Sequence, residues 1–116
     1  MRHPTRPRIV CLCGSTRFWN AFVHYSFQET IDGNIVLSIG AAPGTDDDHL
    51  GRMRPEAYAE IKEALDTLHL RKIDLADEIL VLNIGGYIGE STRREIAYAE
   101  SEGKVIRYVE AIGGDV

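Results

Sequence analysis

Ile79-Leu80-Val81-Leu82-Asn83-Ile84 runs directly into Gly85-Gly86-Tyr87-Ile88-Gly89-Glu90-Ser91-Thr92-Arg93-Arg94-Glu95. The first part is apolar almost throughout, as a strand must be when helices cover both faces of a parallel sheet. The second part is a glycine-rich loop that opens a helix, predicted over 92–101 with Gly103 as its stop. A strand–loop–helix junction of this kind can gather backbone N–H donors and a carboxylate around one small ligand.

The same pattern occurs upstream. Ile9-Val10-Cys11-Leu12-Cys13 reads as another strand covered on both faces, and Gly14-Ser15 ends it. A helix is predicted over 17–30, with Phe18, Phe22 and Tyr25 on or near one side. Asp32-Gly33-Asn34 turns the chain into a strand over 35–39. Residues 40–54 are glycine-rich, acidic and non-periodic, hence a loop. Pro55 suits a helix first turn, and Ala57, Ile61, Ala64, Leu65 and Leu68 make a helical stripe over 56–70 that continues or breaks near Arg71. A last strand is predicted over 105–109, followed by a short tail containing Gly113-Gly114. Strands that alternate with helices build βαβ units and a mostly parallel sheet of four or five strands. Ligands of such sheets bind beyond the carboxyl ends of the strands, where both glycine-bearing junctions fall.

The chain has 116 residues, and positions 1–116 read as one domain. Hydrophobic residues make up 44% and charged residues 27%. Thirteen Lys and Arg against eighteen Asp and Glu give a net charge of -5, which argues against binding a nucleic-acid polymer. No apolar run reaches the roughly 18–20 residues of a membrane span, and the start lacks the apolar segment of a secretory signal. Cys11 and Cys13 lie two apart on a strand and point to one face, as paired buried thiols; they make neither a disulfide framework nor a four-ligand metal site. A cytoplasmic, reducing location is the expectation. No metal and no organic cofactor is expected.

Each junction has chemistry of its own. Gly14 allows a tight departure from the strand, Ser15 and Thr16 offer hydroxyls and a helix cap, and Arg17 offers a bidentate contact to an anion. The spacing of three glycines that marks dinucleotide sites is missing, as is the lysine-bearing phosphate loop. At the second junction, Asn83 ends the strand, Gly86 and Gly89 permit close backbone approach, and Tyr87 can stack on a base or pack as an aromatic lid. Ser91 and Thr92 can donate to a phosphate. Arg93 or Arg94 could hold a 5′-phosphate or pair with nearby acids. Glu95, three after Thr92, satisfies a capping box, or else aims its carboxylate from the first helical turn into the pocket. There it could attack an anomeric carbon or stabilise the positive charge of a breaking glycosidic bond. Glu90 is the alternative carboxylate. The run Asp46-Asp47-Asp48-His49 reads as a solvated loop rather than a metal site, with Asp46 or Asp47 able to meet a ribose hydroxyl.

Gly14-Ser15-Thr16-Arg17, Ala76-Asp77-Glu78-Ile79-Leu80-Val81 and the segment from Gly89 to Ala99 resemble the nucleoside 2-deoxyribosyltransferase-like superfamily. That group includes deoxyribosyltransferases and 2′-deoxynucleoside 5′-monophosphate N-glycosidases. The resemblance spans most of the chain in element order. It implies an α/β, small Rossmann-like (flavodoxin-like) three-layer domain, often dimeric, acting on a small-molecule nucleoside or nucleotide. Tyr25, Phe27 and Tyr58 are candidate interface aromatics for a homodimer. The family's glutamate nucleophile sits in a pattern like Gly-x-x-x-Glu-x-Gly-x-Ala. Glu95 matches it, with Ala97 at the second glycine and Ala99 at the alanine. Ser91 or Thr92 resembles the phosphate-binding serine, and Ser15 the first-loop serine. Active members carry an aspartate about eight residues before the Asp77-like position; here His69 stands there, with Asp66 and Asp74 nearby. His69 could protonate a leaving base. Asp77 is the third candidate for direct chemistry. Phe18 or Trp19 occupies the region where many members have a tyrosine.

The resemblance therefore implies cleavage or transfer at an N-glycosidic bond. A non-catalytic nucleotide-binding or sensor module would use the same junctions without turnover. A lysine-decarboxylase-like nucleotide phosphoribohydrolase ranks below both, because the chain lacks a Pro-Gly-Gly-x-Gly-Thr-x-x-Glu pattern.

Overall fold

The structure, a computed structural model, describes residues 6–40 and 51–112. The Asp46–His49 run and the tail after residue 112 lie outside them. Strand β1 (Ile9–Cys13) leads through a 3-10 turn at Thr16–Phe18 into helix α1 (Trp19–Ile31) and strand β2 (Ile35–Leu37). Helix α2 (Pro55–Leu75) precedes β3 (Glu78–Val81), and a second 3-10 turn at Ile84–Gly86 precedes helix α3 (Glu90–Ser101) and β4 (Val105–Tyr108).

The four strands form one all-parallel sheet in the order β2-β1-β3-β4. This is the small Rossmann-like, three-layer α/β arrangement, with the strand order of the flavodoxin-like class. Alternate residues of each strand face opposite layers. Val10, Leu12, Leu80 and Leu82 pack with Phe22 of α1 on one side. Cys11, Cys13, Ile79 and Val81 pack with Ile73 of α2 and Ala99 of α3 on the other. The central strands β1 and β3 are covered on both faces, which is why Ile9–Cys13 and the residues after Glu78 read as apolar runs. None of the described helices is long and apolar enough to cross a membrane.

Several boundaries differ from the sequence-based expectation, among them that of β3, which stops at Val81, short of Ile84, where a 3-10 turn takes over. Of the two alternatives for the end of α2, the helix continues past Arg71, to Leu75, because Ile73 extends its apolar face into the core. Strand β2 stops at Leu37, short of Ile39. Helix α3 begins two residues early, at Glu90, with Gly89 as its extended N-cap.

At the amino end of the sheet, charge rather than apolar packing closes the structure. Glu29 and Glu78 are buried, and Arg107 joins them at 2.8 and 2.6 Å. Arg8 meets the other Glu78 oxygen at 3.0 Å, and Asn34 donates to Glu29 at 2.9 Å. Desolvated carboxylates need such partners to remain charged.

Candidate functional site

The order of winding reverses between β1 and β3: from β1 the sheet grows outward to β2, then the chain crosses back to β3. The loops leaving neighbouring strands here diverge and leave a crevice at the carboxyl ends. A cavity of about 460 Å³ occupies it, of the size that holds small organic ligands. Gly14, Ser15 and Thr16 line it from the first junction, and Tyr87, Gly89, Glu90, Ser91, Thr92 and Glu95 from the second. His69 of α2 closes the floor beside Glu95.

Gly14 permits close packing of the first loop. A Cβ there would meet Leu82 Cβ at 3.1 Å and the Leu82 carbonyl oxygen at 3.3 Å. Ser15 Oγ then accepts from the Arg17 backbone N–H at 3.2 Å and caps the 3-10 turn. In the second loop, Gly85 and Gly86 take φ of 64° and 82°, the left-handed region that favours glycine. That turn delivers Tyr87 to the pocket rim. Arg17 lies 4.4 Å from its ring centroid, and Phe18 meets it edge-on at 5.9 Å. Tyr87 is thus both a pocket wall and a lid packed on the first junction.

Glu90, Ser91 and Thr92 of the first turn of α3 line the cavity, where backbone N–H groups of a helix have no intrahelical partner. The capping box is not formed. Because α3 starts at Glu90, Thr92 is its third residue and Glu95 its sixth, and no side chain caps the helix. Glu95 is therefore carried from the second turn, not the first, and its carboxylate has no capping duty. Its side chain is 15% exposed, and Oε1 lies 4.0 Å from His69 Nε2.

Beneath Glu95 the two cysteines of β1 meet the same histidine. His69 Nε2 is 3.6 Å from Cys11 Sγ and 3.5 Å from Cys13 Sγ, and all three residues are buried. The three donor atoms lie within 4.8 Å of one another. The hydrogen bond with Cys13 holds the Cys11 thiol down at about 6 against the effect of burial, and His69 adds to the lowering. Cys13 is pushed well up by the same hydrogen bond and by burial. Burial pulls His69 down, but the hydrogen bond and charge of Cys11, with the charge of Glu95, carry it above its ordinary value. Burial pushes the Glu95 carboxyl up, opposed mainly by His69.

Four candidate residues are not brought to the cavity. Asp77 stands just before β3, at the amino end of the sheet, where it pairs with Arg6 at 2.7 and 3.0 Å and accepts from the Ile9 N–H at 2.8 Å. Its position holds β1 and β3 in register, and it does not join Glu95 and His69. Asn83 is buried and exchanges two hydrogen bonds with the main chain of Glu110, at 2.9 and 3.0 Å, so its amide ties off the end of β3. Gly86 shapes the turn behind Tyr87. Arg17 is engaged with the Tyr87 ring. Arg94 donates to Ser91 Oγ at 3.2 Å, and neither Arg93 nor Arg94 lines the pocket.

Three polar lining residues of α2 complete the wall: Lys62, Asp66 and Lys72. Asp66 is noticeable in the sequence only as a neighbour of His69, and the lysines lack any motif. The signal is their spacing with His69, at three- and four-residue steps along one helix face. Lys72 Nζ donates to the Ser38 carbonyl at 2.6 Å, which joins α2 to the end of β2.

Compared with known proteins, the chain matches no family model, no curated protein and no solved structure.

Proposed function

We propose that this pocket takes a nucleoside or nucleoside 5′-monophosphate and that Glu95 cleaves or transfers at its N-glycosidic bond. One observation carries the reading: both strand-to-helix junctions open on a single cavity with the partly buried Glu95 carboxylate at its floor. A phosphate would take the N-terminus of α3 with Ser91 and the hydroxyls of Ser15 and Thr16. The Tyr87 ring would cover the base or sugar. A Glu95 oxygen would attack the anomeric carbon as the C–N bond breaks, and the bonding pair would leave with the base, which gains a proton. Water would then release the sugar from the glutamyl ester, or a second base would accept it.

Incubation with a panel of nucleosides and monophosphates, with free base read by chromatography, tests the proposal. Glu95→Gln is expected to keep ligand binding and to lower base release by at least about 10³-fold. Unchanged release in that variant overturns it. The contact of His69 with two thiols, where the resemblance would have an aspartate, favours a second reading as a nucleotide-binding module without turnover. Binding with no product after long incubation would select that reading.

Two copies pairing belongs to the same proposal. Val23, Phe27 and Ile31 form an exposed apolar stripe along α1, at the four-residue spacing of one helix face. Sedimentation equilibrium should find a dimer that Phe27→Asp dissociates; an unmodified chain that sediments as a monomer excludes it.

A further inference from the structure

The triad of Cys11, Cys13 and His69 has no assigned role in glycosidic chemistry, and it is costly to assemble. Two thiols and an imidazole occupy a position where the opposite face of the same strand carries Val10 and Leu12. Their sulfur-to-nitrogen separations suit a hydrogen bond and a metal coordination shell alike, and the three donor atoms lie within 4.8 Å of one another. Tetrahedral zinc with Zn–S near 2.3 Å and Zn–N near 2.0–2.1 Å places sulfur and nitrogen ligands about 3.6 Å apart. The Sγ–Nε2 separations here are 3.6 and 3.5 Å.

We propose that Cys11 Sγ, Cys13 Sγ and His69 Nε2 bind one zinc-class divalent ion at the floor of the pocket, its fourth position opening toward Glu95. Two thiolates and one imidazole are the ligands a soft or borderline ion selects over magnesium or calcium. Nε2 is the nitrogen facing both sulfurs, so the ring needs no rotation to coordinate. The two thiolates balance the two charges of the ion, and Lys72 and Glu95 carry opposite charges beside it. Glu95 stands next to the shell rather than in it. Its 4.0 Å from His69 Nε2 exceeds the roughly 3.3 Å expected between adjacent nitrogen and oxygen ligands. The fourth ligand is then a water or a ligand atom from the cavity, the arrangement that zinc adopts where it meets substrate. Entry is by way of the pocket, since His69 and Glu95 both line it.

The site stands independently of the glycosidic reading. The full chain, purified under reducing conditions, is to be loaded with Zn²⁺ or Co²⁺, dialysed, and assayed for metal content and for the cobalt absorption spectrum. About one ion per chain is expected. The cobalt form should show the sulfur-to-cobalt charge transfer and intense visible bands of a tetrahedral thiolate site. Cys11→Ser and Cys13→Ser should each weaken binding by more than the roughly 10–100-fold that loss of an outer-shell partner costs. Glu95→Gln should retain the ion. A folded chain that takes up no metal overturns the proposal, and so does an ion bound without the thiolate-to-cobalt band. The spectrum of the unmodified chain decides the matter even if a cysteine variant fails to fold. Metal uptake without base release fails only the proposed function, and base release without metal uptake fails only this site.

Discussion

A carboxylate loses hydration when it is buried, so its charged form is disfavoured and its pKa rises. Glu95 is in this position, with His69 as its main compensation. A nucleophilic glutamate must be ionised, which fixes the sign of the pH dependence. As pH falls through the raised Glu95 pKa, the carboxylate takes up a proton and base release declines. In the chelated, metal-free chain the acid limb of kcat/KM is therefore expected above the ordinary glutamate range, and a limb at or below that range in that form removes Glu95 from the role. At this scale the sequence was half legible. The glutamate and both hydroxyl-bearing loops stand out from residue types alone. The capping reading of Thr92 and Glu95 does not hold, because Glu90 extends α3 by two residues and moves Glu95 into its second turn. Asp77 was legible in principle: a residue just before a parallel strand lies at the amino edge, opposite the pocket.

At the scale of elements, the first junction depends on how closely β1 and β3 leave the sheet side by side. Leu82 N–H donates to the Cys13 carbonyl at 2.8 Å, which extends their pairing past the last paired residues. Gly14 then packs against the Cβ and carbonyl oxygen of Leu82, atoms that cannot swing aside as the far end of a long side chain would. Gly14→Ala should cost about 1–3 kcal/mol, the usual penalty of overpacking, and should weaken ligand binding through the displaced Ser15 loop. Gly40→Ala is the internal comparison, since among the described residues a Cβ there meets nothing within 4 Å. Equal denaturation midpoints for the two variants would show that the contact with Leu82 is not limiting. The alternation of elements was legible because the buried strands are continuous apolar runs and α2 has a regular stripe. The end of α2 was legible only as two alternatives, because Arg71 and Lys72 interrupt the stripe just before Ile73 returns to the core.

The whole molecule joins residues that no local pattern connects. Cys11 and His69 are 58 positions apart, and they meet only because α2 packs over the β1 side of the sheet. A sequence reading could see two thiols on one strand face and a histidine on a helix, but not that they face each other. The same distance in sequence gives the contact its mechanical consequence. An ion held by Cys11, Cys13 and His69 would tie β1 to α2 and would bind the folded chain in preference to the unfolded one. Ligand at 100 times its Kd then stabilises the fold by about 2.7 kcal/mol. For a chain of this size that corresponds to a rise in Tm of roughly 10 °C. Zinc titration followed by calorimetry under reducing conditions should show Tm climbing with ion concentration, and a chelator should reverse it. In Cys13→Ser the dependence should vanish while the baseline Tm remains near that of the chelated parent. A Tm indifferent to both zinc and chelator would mean that β1 and α2 are held by the apolar contacts of Ile73 and its neighbours alone.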